Sequence, residues 1–199
     1  MIPSNADPSR SIIINYLRQS RPEDSKDRIG ITFIYLKYNE TDQTFDNILS
    51  SLLEQLLQDS ENIPPSLLSL YERHGDRNTS PTIDEISQAL STMIDSHEEV
   101  FCIIDALDEC NEDLRWELVE RLENLGPKLR VLITSRYLDS IAEELEVYQR
   151  FEIRANKADI ELFIEHQIRR NRNLRKIVDK SPSLRDDIKR GVFNTAENM

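Results

Sequence analysis

Apolar residues along the chain form two patterns, stripes typical of amphipathic helices and short runs typical of buried strands. The most regular stripe has a three-four spacing that places its members on one helix face. Its seven members are Phe45, Ile48, Leu49, Leu52, Leu53, Leu56 and Leu57. Similar spacing predicts a helix from Ser9 to Gln19, and a capping-box pattern from Thr82 to Glu85 predicts the start of another.

Four apolar runs predict strands. Three lack two-residue alternation and predict buried strands at residues 29–35, 100–105 and 129–135, and Phe151–Ile153 predicts a shorter one. A leucine stripe from Leu114 to Leu125 predicts a helix after the second run, and two later stripes predict helices after the fourth. Because parallel strands need helical crossovers, this alternation predicts an α/β domain with a parallel sheet.

Composition and charge limit the partners and the cellular location that we expect for the protein. The formal net charge is −12, so the long-range field disfavours nucleic acid and anionic membrane as partners. No apolar stretch approaches the roughly 20 residues of a membrane span. The cysteines, Cys102 and Cys110, lack metal-ligand spacing and read as reduced thiols, which predicts a cytoplasmic protein. An arginine cluster at residues 169–172 lacks interleaved aromatics and is interpreted as a solvated helix end.

Candidate chemistry follows two of the predicted strands. Asp105, Asp108 and Glu109 come at the end of the second strand, and the third ends in Thr134-Ser135-Arg136. Ligands bind at the carboxyl ends of parallel strands. An arginine there suits a terminal phosphate, so both groups are predicted to converge on one nucleotide. The alternative is that the acids only favour the N-terminus of the following helix.

Four segments together resemble a known family, the NACHT nucleotide-binding domain of the STAND class of P-loop NTPases. The segments are residues 11–17, 33–35, 103–110 and 132–136. The likeness covers roughly residues 9 to 199 and is greatest to fungal proteins that place such a domain before ankyrin repeats. It implies an ATP- or GTP-binding signalling switch that uses Mg²⁺ and oligomerises.

The resemblance also implies residue roles. Asp105 would be the Mg²⁺ ligand, and Asp108 would orient the attacking water with help from Glu109. Thr134, Ser135 and Arg136 would contact the nucleotide, with Arg136 as the sensor of the γ-phosphate.

The phosphate-binding loop of that family is missing from this sequence. No G-x-x-x-x-G-K-[ST] pattern occurs among the four glycines, although the family places one just before the helix that matches Ser9 to Gln19. The family order puts the lost strand between those matching residues 131–135 and 151–153. We therefore expect a three-layer P-loop NTPase-like domain without its first strand, shortened at both ends. The expected organisation is a disordered leader at 1–8, the α/β core at 9–155 and the start of a helical subdomain at 156–199.

The sequence thus predicts a truncated NACHT-type module that is deficient in nucleotide binding and hydrolysis and holds no cofactor tightly. One alternative is a non-catalytic interaction module that pairs with full-length NACHT proteins, as a homo- or hetero-oligomer, through exposed sheet edges or the helix from Phe45 to Leu57. Another is a metal-dependent hydrolase that uses the acidic cluster at 105–109.

Overall fold

The computed structural model describes residues 12–21, 28–38, 43–153 and 156–196. The predicted leader at 1–8 lies outside these residues. Contacts divide the chain into two compact units, Met1–Glu146 and Val147–Met199. The helices and strands, in chain order, are α1 Ile12–Ser20, β1 Ile29–Tyr35, α2 Phe45–Asp59, α3 Pro65–Arg77, α4 Ile83–Ser96, β2 Glu99–Asp105, α5 Glu112–Glu123, β3 Leu129–Ile133, α6 Asp139–Glu144, α7 Lys157–Arg170, α8 Arg172–Lys180 and α9 Pro182–Ala196.

The three strands form one parallel sheet in the order β1-β2-β3, which confirms the predicted α/β class. Gly30 pairs with Val100 in the β1–β2 register, and Ile103 pairs with Leu132 in the β2–β3 register. Gly30 allows close packing, because a Cβ there would lie 2.9 Å from the Leu56 side chain. The sheet therefore brings the carboxyl ends of all three strands to one edge.

The two faces of the sheet are covered unequally. The larger core lies on the face that packs against α2 and α4, with Leu52, Leu56 and Met93 fully buried. A small cluster of Ile14, Ile31 and Ile103 fills the other face under α1. The leucine stripe of α2 is thus in the core of this unit, and pairing with another protein through this helix stays a prediction.

Local capping explains several helix starts. The predicted capping box at Thr82 and Glu85 is confirmed, since each side chain bonds the backbone N–H of the other. Asn111 caps α5 by accepting from the Leu114 N–H at 2.9 Å. A buried ion pair then joins α5 to α6, with Arg115 Nε donating to Glu144 Oε2 at 2.7 Å.

The predicted strand at Phe151–Ile153 was wrong, because these residues are irregular and their side chains are exposed. An extended triplet gains little without a neighbouring ladder. The third strand ends at Ile133 rather than Ser135. Two helices, α6 and α8, were not predicted. In the second unit, Ile164, Ile168 and Val178 form a separate small core.

Candidate functional site

The side chains that follow β2 and β3 meet at the carboxyl edge of the sheet. The ladder continues one step beyond β3, because the Thr134 N–H donates to Ile104 O at 2.9 Å. Thr134 therefore lies beside Asp105, and its hydroxyl donates to Asp105 Oδ1. The same hydroxyl accepts from the Ala106 N–H at 3.1 Å. Of the predicted site residues, Asp105 and Thr134 are thus joined directly.

A tight turn carries the chain from Asp105 to the other two acids. Ala106 has a left-handed conformation with φ 62°, which is uncommon for a residue with a Cβ. A single 3₁₀ turn follows at Leu107–Glu109. It is fixed to the neighbouring strand, since the buried Leu107 donates its N–H to Thr134 O at 2.9 Å. The turn thus directs Asp108 toward the chain that follows β3.

Asp108 binds Arg136 through both carboxylate oxygens. The Arg136 N–H donates to Oδ1 at 2.9 Å, and Nε donates to Oδ2 at 2.5 Å. The Asp108 side chain is 3% exposed and that of Arg136 is 80% exposed. Burial raises the pKa of Asp108, but the two hydrogen bonds and the positive charge of Arg136 outweigh it, so the net pKa is lowered.

Glu109 and Ser135 have other partners. Glu109 Oε2 accepts the Tyr38 N–H at 3.0 Å, so this carboxylate ties the segment after β1 to the turn. The exposed Ser135 hydroxyl donates to the carbonyl of Arg136 at 2.7 Å. The predicted site residues thus form local pairs: Asp105 with Thr134, Asp108 with Arg136, and Glu109 with the Tyr38 backbone.

These pairings decide how well the site suits a metal ion. No group of three or more His, Cys, Asp or Glu side chains within the described ranges could hold one. Mg²⁺ prefers octahedral oxygen ligands and is often bound by one or two carboxylates together with substrate phosphates. Asp105 offers one carboxylate, which already accepts from Thr134. Among the described residues, Asp105 could therefore hold Mg²⁺ only together with further oxygen ligands, such as those of a bound phosphate.

Sequence reasoning missed two parts of this arrangement. Tyr38 contributes through its backbone N–H, which no residue pattern reveals. Ala106 takes a positive φ, for which sequence analysis looks first to glycine or asparagine. Nothing in the sequence indicated either role.

Comparison of the chain with known proteins found a matching family. The model of the family described as nephrocystin 3, N-terminal, matches residues 9–136, which is more than half of the chain. The chain belongs to the nephrocystin 3 N-terminal family. The matched region contains all three strands and every candidate residue from Asp105 to Arg136.

The comparisons show that the chain is a member of the nephrocystin 3 N-terminal family, and they show no finer relationship. No curated protein and no solved structure matches the chain. The likeness to NACHT domains stays a hypothesis. None of the helices within the described ranges is both long and apolar enough to cross a membrane.

Proposed function

We propose that the chain is a NACHT-type signalling module that binds and hydrolyses nucleoside triphosphates poorly. Its sheet would be that of a three-layer P-loop NTPase-like fold. The relation to this fold is supported by the positions of the candidate residues. An apolar strand delivers Asp105 to the carboxyl edge of a parallel sheet, and the adjacent strand delivers Thr134 and Arg136 to the same edge. Ligand sites of open α/β sheets lie at such edges.

The observation that carries the functional part of the proposal is the pairing of Asp108 with Arg136. A guanidinium that reads a terminal phosphate needs its donors free for that phosphate. Here the Arg136 Nε is used by a carboxylate at 2.5 Å. A phosphate would have to compete with Asp108 for this donor, and it would meet the charges of Asp105 and Glu109 nearby.

The sequence supplies no compensating anion cradle. A P-loop binds phosphates through successive backbone N–H groups and a lysine, and the chain has no G-x-x-x-x-G-K-[ST] pattern. The formal net charge of −12 adds a long-range repulsion toward a free triphosphate. The missing P-loop pattern and the net negative charge should therefore both weaken the binding of a triphosphate.

A variant series tests this proposal. Steady-state phosphate release from ATP and GTP with Mg²⁺ is expected to stay at the buffer background for the wild type. A fluorescent ATP analogue, titrated without Mg²⁺, is expected to bind Asp108→Asn several-fold more tightly than the wild type. The reason is that this change removes one negative charge and weakens the competitor for Arg136.

The matched control is the double variant Asp108→Asn with Arg136→Ala, which lacks the guanidinium and is expected to lose that gain. Phosphate release above background by the purified wild type would contradict the proposal. Equal analogue binding by the wild type and Asp108→Asn would show that the Asp108–Arg136 pair does not limit binding.

A further inference from the structure

An exposed irregular segment, residues 78–82, joins α3 to α4. It begins at Asn78, which ends α3 in a left-handed conformation with φ 50°. It ends at Thr82, the N-cap of α4, which is fixed there by the capping box. Near its start, the Thr79 N–H donates to His74 O at 3.1 Å. Both ends of the segment are therefore held by hydrogen bonds.

Ser80 lies in the middle of this segment and is exposed. Neither its hydroxyl nor its backbone groups form a hydrogen bond with any residue in the described ranges. Pro81 follows it, and a proline disfavours the helical conformation of the residue before it. Ser80 thus presents an unbonded hydroxyl on a short exposed segment that continues neither helix.

An unpaired cation lies three residues before this hydroxyl. Arg77 is exposed and occupies the last turn of α3, and its guanidinium has no ion pair or hydrogen bond among the described residues. The two neighbouring basic side chains are already used, since Arg73 and His74 contact Glu85 at 2.7 and 3.1 Å. Arg77 is therefore the cation of this corner that can accept a new anionic partner.

We propose that Ser80 is a phosphorylation site for a proline-directed protein kinase and that Arg77 pairs with the phosphate. Kinases of this class select a serine directly followed by proline, and they need the surrounding backbone exposed and outside helices. Ser80 Oγ attacks the γ-phosphorus of the Mg-ATP held by the kinase, forming an O–P bond as the bond to the β,γ-bridging oxygen breaks. ADP leaves, and the hydroxyl proton passes to the catalytic base of the kinase.

The phosphate would change the charge between the two helices. Phosphoserine carries about −1.5 to −2 charges at neutral pH and accepts charge-assisted hydrogen bonds from arginine. It would also lie just before the N-terminus of α4, where the helix dipole favours an anion. Two acids close in sequence, Asp76 and Asp84, oppose the added charge, so the contact that holds the phosphate has to come from Arg77. The ATP belongs to the kinase, so this inference does not depend on whether the chain binds nucleotide.

The chain contains one other Ser-Pro pair, Ser181-Pro182, which offers an internal control. Helix α8 ends at Lys180 and α9 begins at Pro182, so helices flank this serine on both sides. The Ser181 N–H donates to Val178 O at 3.2 Å, and its carbonyl accepts from the Leu184 N–H at 3.0 Å. A kinase could bind this serine only by unwinding a helix. The two pairs are alike as motifs, and the fold separates them.

Kinase assays on the folded chain and on matched peptides test the assignment. The full chain and synthetic peptides of residues 75–86 and 176–187 are incubated with a purified mitogen-activated protein kinase and Mg-ATP, and mass spectrometry locates the phosphate. Both peptides are expected to be phosphorylated. In the folded chain Ser80 is expected to react to one phosphate per chain, and Ser181 several-fold more slowly than in its peptide.

Two variants of the full chain check the position of the phosphate. Ser80→Ala is expected to abolish fast incorporation into the folded chain. The matched control is Thr79→Ala, which removes the adjacent hydroxyl, one that contacts His74 Nδ1 at 2.7 Å. Because this hydroxyl already has a partner and no proline follows it directly, the control is expected to keep the incorporation.

Phosphorus NMR of the phosphorylated chain tests the role of Arg77. The second pKa of phosphoserine is ordinarily about 6, and a nearby guanidinium lowers it because the positive charge favours the dianion. This pKa is therefore expected to be higher in phosphorylated Arg77→Ala than in the phosphorylated wild type. Arg170→Ala, a change at an exposed arginine of the second unit, is expected to leave the pKa unchanged.

Three results would overturn the proposal. The first is the absence of phosphate at Ser80, either in the folded chain or in its peptide. The second is fast incorporation at Thr79, or at Ser181 of the folded chain as readily as in its peptide. The third is a phosphoserine pKa that is the same in the wild type and in Arg77→Ala.

Discussion

Arg136 donates to both carboxylate oxygens of Asp108, through its backbone N–H at 2.9 Å and its Nε at 2.5 Å. The two residues lie in the segments that follow β2 and β3, so this contact joins the two strand ends from which any nucleotide chemistry would come. The acid is buried and the base is exposed. Because the two side chains differ in exposure, substitutions at the two positions should differ in their effect on stability.

Replacing Asp108 should destabilise the protein more than replacing Arg136. Asp108→Ala removes the acceptor for two hydrogen bonds and leaves the Arg136 N–H without that partner, at an expected cost of about 1–3 kcal/mol. Arg136→Ala keeps its backbone N–H bond and loses an exposed guanidinium, so its effect should be small. Urea unfolding monitored by circular dichroism measures both. A larger loss for Arg136→Ala would show that the exposed contact dominates.

The same pair should make stability depend on pH in acid. The net pKa of Asp108 is lowered from its ordinary value of 3.8, although burial alone would raise it, because hydrogen bonds and charge from Arg136 prevail. The folded state therefore binds this proton less readily than the unfolded state. The stabilisation is complete above about pH 3.8 and is lost as pH falls through the lower folded-state pKa.

Unfolding free energies of the wild type and Asp108→Asn, measured at several pH values, check this dependence. The difference between the two proteins should shrink as the pH falls below 3.8. A difference that stays constant into strong acid would contradict the assignment. The comparison with Asp108→Asn is needed because Glu85 and Glu165 also have lowered pKa values and contribute to acid unfolding.

The buried ion pair between Arg115 and Glu144 should be sensitive to the loss of one partner. Both side chains are about 5% exposed, and the second bond, from Arg115 Nη2 to Glu144 Oε1, is 2.6 Å long. Glu144→Leu leaves a buried guanidinium unpaired and should cost about 3–5 kcal/mol. Adding Arg115→Met should restore much of that loss in urea unfolding. Equal losses in the single and double variants would contradict this reasoning. The exposed pair Arg175–Asp179 offers a control, for which Asp179→Asn should have little effect.

Both thiols should be unreactive in the native protein. Burial raises the pKa of Cys102 to about 12. It also raises the pKa of Cys110, against the opposing charge of Arg115. Because the thiolate is the reactive form, Ellman's reagent at neutral pH should modify neither until the chain is unfolded in urea. Rapid reaction of a thiol under native conditions would show that the region around β2 opens readily.

The elements predicted from the sequence are those whose signal is local. The stripe of α2 contains enough turns for its period to be clear, and the capping box at Thr82 is a short-range pattern with a mechanism. The predicted strand at Phe151–Ile153 failed because a strand depends on a partner distant in sequence. Helix α6 has only six residues, fewer than two turns, and is held partly by the ion pair of Glu144, which no periodicity indicates.

The candidate site was predicted in position but not in connectivity. Parallel topology implied that residues after β2 and β3 would share an edge, and Thr134 does bond Asp105 there. The pairing of Arg136 with Asp108 depends on the turn at Ala106, whose left-handed conformation has no sequence signal. Which donors stay available to a ligand is therefore a property of the folded turn and not of the motif.

Isothermal titration calorimetry of the wild type with Mg-ATP and Mg-GTP measures directly whether the carboxyl edge of the sheet binds a nucleoside triphosphate. We propose that this edge binds triphosphates poorly, because Asp105 already accepts from Thr134 and Asp108 holds the Nε of Arg136. We expect no saturable heat in the micromolar range for either nucleotide. Saturable one-to-one binding with a micromolar dissociation constant, abolished by Asp105→Asn or Arg136→Ala, would contradict it.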